Sequence, residues 1–273
     1  MPTKLEEIVA ATRRRVANSR PTANLRDLEK RAQEHAPRGF RRALQSKARS
    51  GIAVIAELKK ASPSRGLIRA DFNPDNLARE LEAAGATSLS ILTDEEYFQG
   101  SLENLRIASG ATTLPCLRKD FIVDEFQLLE ARAFHADAIL LIVAALSQDE
   151  LVGLVIQSRE YELDVLCEVH DQAELERATN AGCNLIGVNS RDLHTFQVDL
   201  DTAFQVAERM PKNIVAVAES GIHSGIDISR LKNAGYQAFL IGESLMKADS
   251  PGDALRSLIT QAFPENRELG SEN

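Results

Sequence analysis

The sequence predicts an α/β chain folded as a closed (β/α)8 TIM barrel with an N-terminal helical extension. Three observations carry this. From Ala53 onward, eight short strand-like apolar runs alternate with stretches of helical period, at spacings of roughly 20 to 35 residues. Five of the runs end in a charged or amide side chain: AVIAELK (Ala53 to Lys59), LPCLRKDF (Leu114 to Phe121), DVLCEVH (Asp164 to His170), NLIGVNSRD (Asn184 to Asp192) and IVAVAESG (Ile214 to Gly221). The length of 273 residues suits a barrel with an extension. A parallel strand packed on both faces reads as continuous Val, Ile and Leu, and its interior tolerates no charge, so the polar residues mark the strands' carboxyl ends. Open sheets usually have fewer strands than eight, which favours closure.

Leu5 to Asn18 has helical apolar spacing and a basic turn, Arg13 to Arg15. A loop containing Pro21 and Pro37 leads to a second short helix, Phe40 to Ala48. Residues 1–50 are expected to cover the barrel as a helical extension, or to use their basic residues to enclose an anionic ligand at its top. The strands are expected at Ala53 to Lys59, Ser88 to Thr93, Pro115 to Lys119, Ala138 to Val143, Asp164 to Val169, Leu185 to Asn189, Ile214 to Ala218 and Ala238 to Ile241. Helices include Pro74 to Gly85, Leu102 to Ser109, Asp124 to His135, Ser147 to Glu160 and Asp171 to Gly182. Asn73 and the Ser147/Glu150 pair read as N-caps, Gly85 and Gly182 as C-terminal stops. Residues 1–273 form one domain in this reading, with the barrel over about 51–263 and a polar, frayed tail from Pro264 to Asn273.

Hydrophobic content of 44% and charged content of 26% are those of a soluble globular protein. A net charge of −8 and a pI near 5.3 argue against a nucleic-acid footprint, and require local positive groups to draw in any anionic substrate. No apolar run reaches the roughly 18 to 20 residues that span a bilayer, and MPTKLEEIVAATRRR has no signal-peptide core, so the expected compartment is the cytoplasm. Cys116, Cys167 and Cys183 lack metal-ligand spacing and read as reduced thiols, the first two as packing residues.

Strand alternation sends Glu57 and Lys59 to one side, and likewise Lys119 and Phe121. An inward Lys59 needs a partner anion, for which Glu57 is placed; Lys60 and Arg65 read as solvent-facing. Ser62, Pro63 and Ser64 make a stiff polar loop that ends at Gly66, free to turn unusually. With Asp120 pointing outward, Lys119 faces the ligand as a general acid or an imine-forming nucleophile, and sequence does not choose between these. Glu168, Asn189 and Glu219 add two carboxylates and an amide at strand ends, as catalytic groups or as an ion-pair network. AESGIHS (Ala218 to Ser224) and LIGESLM (Leu240 to Met246) place glycines in the loops after the last two strands, where barrels often bind phosphate. There is no HExxH, Walker or GxGxxG pattern; His170, His194 and His223 read as loop histidines, not a metal cluster.

VIAELKKASPSRG, SILTDEEYFQGS, LPCLRKDFIVDEFQ, ADAILLIVAAL, EVHD, IGVNSRDL, VAESGI and AFLIGESLM together resemble indole-3-glycerol phosphate synthase, in order and with matching gaps, from about Leu5 to Met246. The resemblance implies a (β/α)8 barrel with an N-terminal helical extension and closure of the indole ring in tryptophan biosynthesis. Its substrate would be 1-(2-carboxyphenylamino)-1-deoxyribulose 5-phosphate, condensed, decarboxylated and dehydrated with no cofactor and no metal. Lys119 matches the general acid that protonates the ribulose carbonyl, and Glu168 the residue that moves a proton during dehydration. Glu57, Lys59, Asn189 and Glu219 match the groups that hold the hydroxyls, the carboxylate and the proton network. Ser62, Arg191, Ser220, Gly221, Gly242 and Glu243 match positions around the substrate, with phosphate against the last four and Glu243 using its backbone N–H. Pro63, Phe98, Phe121, Leu140 and Leu193 match the apolar wall around the anthranilate ring. Ala216 replaces an expected longer polar residue, which bears on the barrel interior. The implied partners are a small phosphosugar, neither nucleic acid nor membrane, and a weak association with other tryptophan-pathway enzymes.

Two other readings compete. A sister phosphate-binding barrel such as phosphoribosylanthranilate isomerase needs an acid and a base but no aryl pocket, and the Lys59 and Lys119 pairing argues against it. A non-catalytic phosphosugar-binding subunit would not need titratable groups at five strand ends.

Overall fold

The computed structural model describes residues 3–192 and 197–262. Its eight barrel strands are β1 (Ala53–Leu58), β2 (Ser88–Leu92), β3 (Cys116–Lys119), β4 (Ala138–Ile142), β5 (Asp164–Val169), β6 (Leu185–Asn189), β7 (Val215–Glu219) and β8 (Ala238–Ile241). All neighbours are parallel, and the sheet closes where β1 pairs with both β2 and β8. The strand ends fall within one residue of those expected, because runs of buried apolar residues bounded by polar ones leave little freedom in the boundaries.

Alternation divides the core in two. Ala53, Ile55, Leu117, Leu140, Leu166, Leu185, Val217 and Leu240 fill the barrel's interior, while the intervening residues pack outward under the helices. Ala216 belongs to the outer layer, beside Ile186 and Ala218, so the missing polar residue does not bear on the interior as expected. Arg118 is a second correction, since it lies in β3 at 2% exposure, in a strand expected to exclude charge. It points outward and is neutralised locally: its guanidinium reaches Asp120 Oδ2 (3.0 Å), Glu130 Oε2 (3.2 Å) and the Gln127 carbonyl (2.7 Å).

The extension has three helices: α1 (Lys4–Ser19), α2 (Leu25–Glu34) and α3 (Phe40–Ser50). Helix α3 inserts Phe40 and Leu44, both fully buried, into the interior cluster of the barrel. Helix α2 occupies what the sequence suggested was loop. It fully buries no residue, but Leu28, Arg31 and Ala32 share a half-buried face; Asn24 caps it, and Arg31 stacks 4.3 Å from the Phe134 ring centroid. Helix α1 lies at the carboxyl ends of the strands, held by Arg13 to Glu150 (2.8 Å) and Arg15 to Asp120 (3.3 Å). The basic turn thus grips acidic groups of the barrel.

The outer helices begin as their caps predict. Asn73 accepts the Asn76 N–H at the start of α4 (Pro74–Ala83), and Ser147 and Glu150 close a capping box on a second helix, Gln148–Glu160. Gly85 and Gly182 take positive φ after their helices. None of the helices among the described residues is long and apolar enough to cross a membrane. The expected frayed tail lies outside the described residues.

Candidate active site

A cavity of about 420 Å³ opens at the carboxyl ends of the strands. Glu57, Lys59, Lys119, Glu168, Asn189 and Glu219 all line it, as do Ser62, Pro63, Phe98, Phe121, Leu140, Arg191, Ser220, Gly221, Gly242 and Glu243. Leu193 lies outside the described residues. Every barrel position here shares the inward parity of its strand, and register sets the neighbours: Glu168 beside Gly187, Asn189 beside Glu219 and Glu57 beside Ser90.

The charged centre is one network. Lys119 Nζ lies 3.1 Å from Glu168 Oε2 and 3.6 Å from Glu219 Oε2; Lys59 Nζ lies 2.6 Å from Glu57 Oε1. Asn189 Nδ2 donates to the other Glu168 oxygen, Oε1, at 3.1 Å. Burial alone would lower the Lys119 pKa, but Glu168, Glu219 and Glu57 hold it well above the ordinary lysine range. Burial likewise opposes ionisation of Glu57 and Glu168, yet the adjacent lysines keep both below the usual carboxylate range. Glu219 goes the other way. Its burial, with Glu168 and Glu57 nearby, outweighs Lys119 and pushes it up to about 8, and its Oε1 has no hydrogen-bond partner. Glu219 is therefore the member of this network that takes up a proton most readily, while its lysine-paired neighbours are held toward the ionised form.

Two glycines, Gly187 within β6 and Gly242 just after β8, make room for these carboxyls. A Cβ on Gly187 would overlap Glu219 Oε1, and one on Gly242 would come within 2.6 Å of Glu57 Oε1. Glycine at these places is a condition of the site.

One side of the mouth is polar. Ser220 and Gly221 both take positive φ (65° and 77°), folding the loop after β7 toward the Gly242 to Glu243 turn that opens the short helix Glu243–Lys247. A Cβ on Gly221 would sit 2.8 Å from Val198 Cγ1, so this loop also requires glycine. The Glu243 carboxylate gathers Lys247 (2.6 Å), Arg65 (3.2 Å) and Arg191 (3.4 Å), leaving a local excess of positive charge on an acidic protein. The opposite side is apolar. The Phe98 and Phe121 rings lie 6.2 Å apart, and Leu140 lines the wall below. Phe98 is presented by the short helix Glu95–Phe98, whose N-cap Asp94 accepts the Tyr97 N–H at 2.7 Å.

Several lining residues were not legible in the sequence. Arg65 is exposed, as expected, but also pairs with Glu243 in the loop after the adjacent strand β8, and Lys4, Leu5 and Ile8 of α1 form part of the wall. The loop carrying Arg65 is a tight hairpin, Ala61–Ser62 against Gly66–Leu67, in which Gly66 takes φ 65° as its position suggested. No sequence signal tells which helix of an extension covers a barrel mouth. Among the described residues no group of His, Cys, Asp and Glu is arranged to hold a metal ion.

The family model described as indole-3-glycerol phosphate synthase matches residues 5–258. The chain belongs to that family. A relative of that name from Koribacter versatilis (strain Ellin345) is 59% identical over 259 residues, covering 95% of this chain and 100% of the relative. Another from Acinetobacter baumannii (strain SDF) is 50% identical over 241 residues, covering 87% and 88%. Solved structures outside the family share the fold alone. A thiamine phosphate pyrophosphorylase from Pyrococcus furiosus has a TM-score of 0.57 at 16% identity, over 76% of this chain and 93% of that one. A mandelate oxidase variant has 0.59 at 17%, over 78% and 72%.

Proposed function

We propose that this cavity converts 1-(2-carboxyphenylamino)-1-deoxyribulose 5-phosphate to indole-3-glycerol phosphate, carbon dioxide and water. As a family member the chain is an enzyme, a carboxy-lyase of tryptophan biosynthesis acting on a small phosphosugar. The observation that supports the chemistry best is the Lys119 ammonium held between Glu168 and Glu219, facing a cavity that is aromatic on one side and cationic on the other.

Phosphate would sit against the Ser220, Gly221, Gly242 and Glu243 backbones, with Arg191 adding charge. The aryl ring would lie on Phe98, Phe121, Leu140 and Pro63, away from water. Lys119 then protonates the ribulose carbonyl while the ring carbon bearing the carboxylate attacks it, so the oxygen leaves the step as a hydroxyl. Loss of carbon dioxide returns electrons to the new ring. Departure of the hydroxyl as water needs a second proton from the lysines, and Glu168 Oε2 takes the proton released from the neighbouring carbon. A net proton is taken up, because the substrate carboxylate leaves as neutral carbon dioxide. Glu57 keeps Lys59 in place beside the substrate carboxylate, and Ser62, Asn189 and Glu219 hold hydroxyls and the proton network.

In this reading the chain is one barrel domain with its extension, a cytoplasmic enzyme with no nucleic-acid partner and at most weak association with pathway neighbours. Incubation with the carboxyphenylamino substrate and a chelator tests it. Indole fluorescence should appear without metal or nucleotide; consumption of phosphoribosylanthranilate with no indole would favour an isomerase.

A further inference from the structure

His170 follows Glu168 by two residues at the end of β5, yet it does not line the central cavity. It lines a shallow depression on the outer side, with Asp171, Gln172 and Gln205. Its Nδ1 lies 3.0 Å from Glu174 Oε2, which also accepts the His170 backbone N–H at 2.8 Å. Its Nε2 lies 3.4 Å from Glu168 Oε1, a charge contact short of a formed hydrogen bond, and has no other partner. Both ring nitrogens thus face carboxylate oxygens. A neutral tautomer would set a lone pair against one of them, so the geometry requires a proton on each.

The two oxygens of Glu168 are consequently unlike. Oε1 is held by Asn189 and His170, and Oε2 meets Lys119. We propose that His170, braced by Glu174, is a positioning residue that fixes Glu168 Oε1 from outside the cavity, so that Oε2 alone exchanges protons with Lys119 and substrate. This rests on the proposed role of Glu168. Burial opposes the charge on His170, but Glu168 and Glu174 carry it up to about 10, consistent with a permanent cation. Apo contacts of this kind are often long and tighten when the substrate is bound.

Two variants separate positioning from folding. His170→Asn can still reach Glu174 but stops short of Glu168, whereas His170→Gln carries an amide N–H to the place of Nε2 without its charge. His170→Asn should lower kcat by about 10²-fold with KM within about twofold, and His170→Gln should recover roughly tenfold of that loss. In the free protein, the Glu168 carboxyl, followed by ¹³C NMR, should titrate higher in His170→Asn than in the wild type. The groups around that carboxyl are Lys119 from β3, Asn189 from β6, Glu219 from β7 and Glu57 from β1, all unchanged in both variants. Equal losses of kcat in both variants accompanied by a fall in Tm, or full activity in His170→Asn, would overturn the inference. If the wild type itself makes no indole, the functional reading fails, and the NMR titration still decides: a raised Glu168 value supports the contact and an unchanged one overturns it.

Discussion

Lys119→Ala removes the group that the proposed function assigns to protonating the carbonyl. General acid help is commonly worth about 10²- to 10⁴-fold, or roughly 3 to 5 kcal/mol of barrier, so kcat should fall by that amount. Binding should change far less, because Arg191 and Lys59 remain at the cationic side of the cavity. Stability should also fall only moderately. Breaking a buried pair costs about 3 to 5 kcal/mol when it strands a charge, but Glu168 keeps Asn189 and His170, and Glu219, with its pKa raised by burial, can take up a proton instead of remaining a stranded charge. The loss should therefore lie at or below the low end of that range. Lys119→Arg is the comparison, since a guanidinium keeps the charge but does not give up its proton; it should stay nearly as slow as the alanine variant. Indole fluorescence is a clean assay because the chain has no tryptophan. Retention of more than about half the activity by Lys119→Ala, against that 10²-fold expectation, would refute the acid role.

Gly187→Ala should inactivate while leaving the barrel folded, because the new Cβ displaces the Glu219 carboxyl; wild-type turnover in this variant would mean that Glu219 has no part in the reaction. Glu219→Gln tests the raised acid through stability. A carboxyl at about 8 in the folded chain and 4.5 as a free side chain keeps a proton that the unfolded chain has lost, so wild-type stability falls between those pH values and levels off above them. The stability of Glu219→Gln relative to wild type, from urea unfolding, should rise across that window; a flat difference would contradict the assignment. Arg118→Ala should destabilise by about 3 to 5 kcal/mol in the same assay, since Asp120 is left buried with only Arg15 as a cation, and a loss below about 1 kcal/mol would show that the buried network is dispensable.

The barrel was legible because its two-sided strands read as short apolar runs, and the inward residues because alternation from Glu57 to Lys59 and from Lys119 to Phe121 persists to the strand ends. What sequence could not supply lies in contacts between distant segments. Helix α2 is held by Arg132, which donates to the Ala32 and His35 carbonyls, and its short face of Leu28 and Ala32, lying between Pro21 and Pro37, reads in the sequence as part of a loop. Arg118 is tolerated in a strand only because Asp120, Glu130 and the Gln127 carbonyl converge on it from the outer layer. The link from His170 to Glu168 depends on how the chain turns after β5. Likewise, the contact of Arg65 with Glu243 depends on the turn after β1, which brings it to the loop after the neighbouring β8.

The central claim is ring closure with decarboxylation, and carbon balance tests it most directly. Substrate labelled with ¹⁴C in the aryl carboxylate, turned over by the purified chain in the presence of a chelator, should release labelled carbon dioxide in a one-to-one ratio with indole formed. Indole without labelled carbon dioxide, or substrate consumed with the label retained in the product, would contradict it.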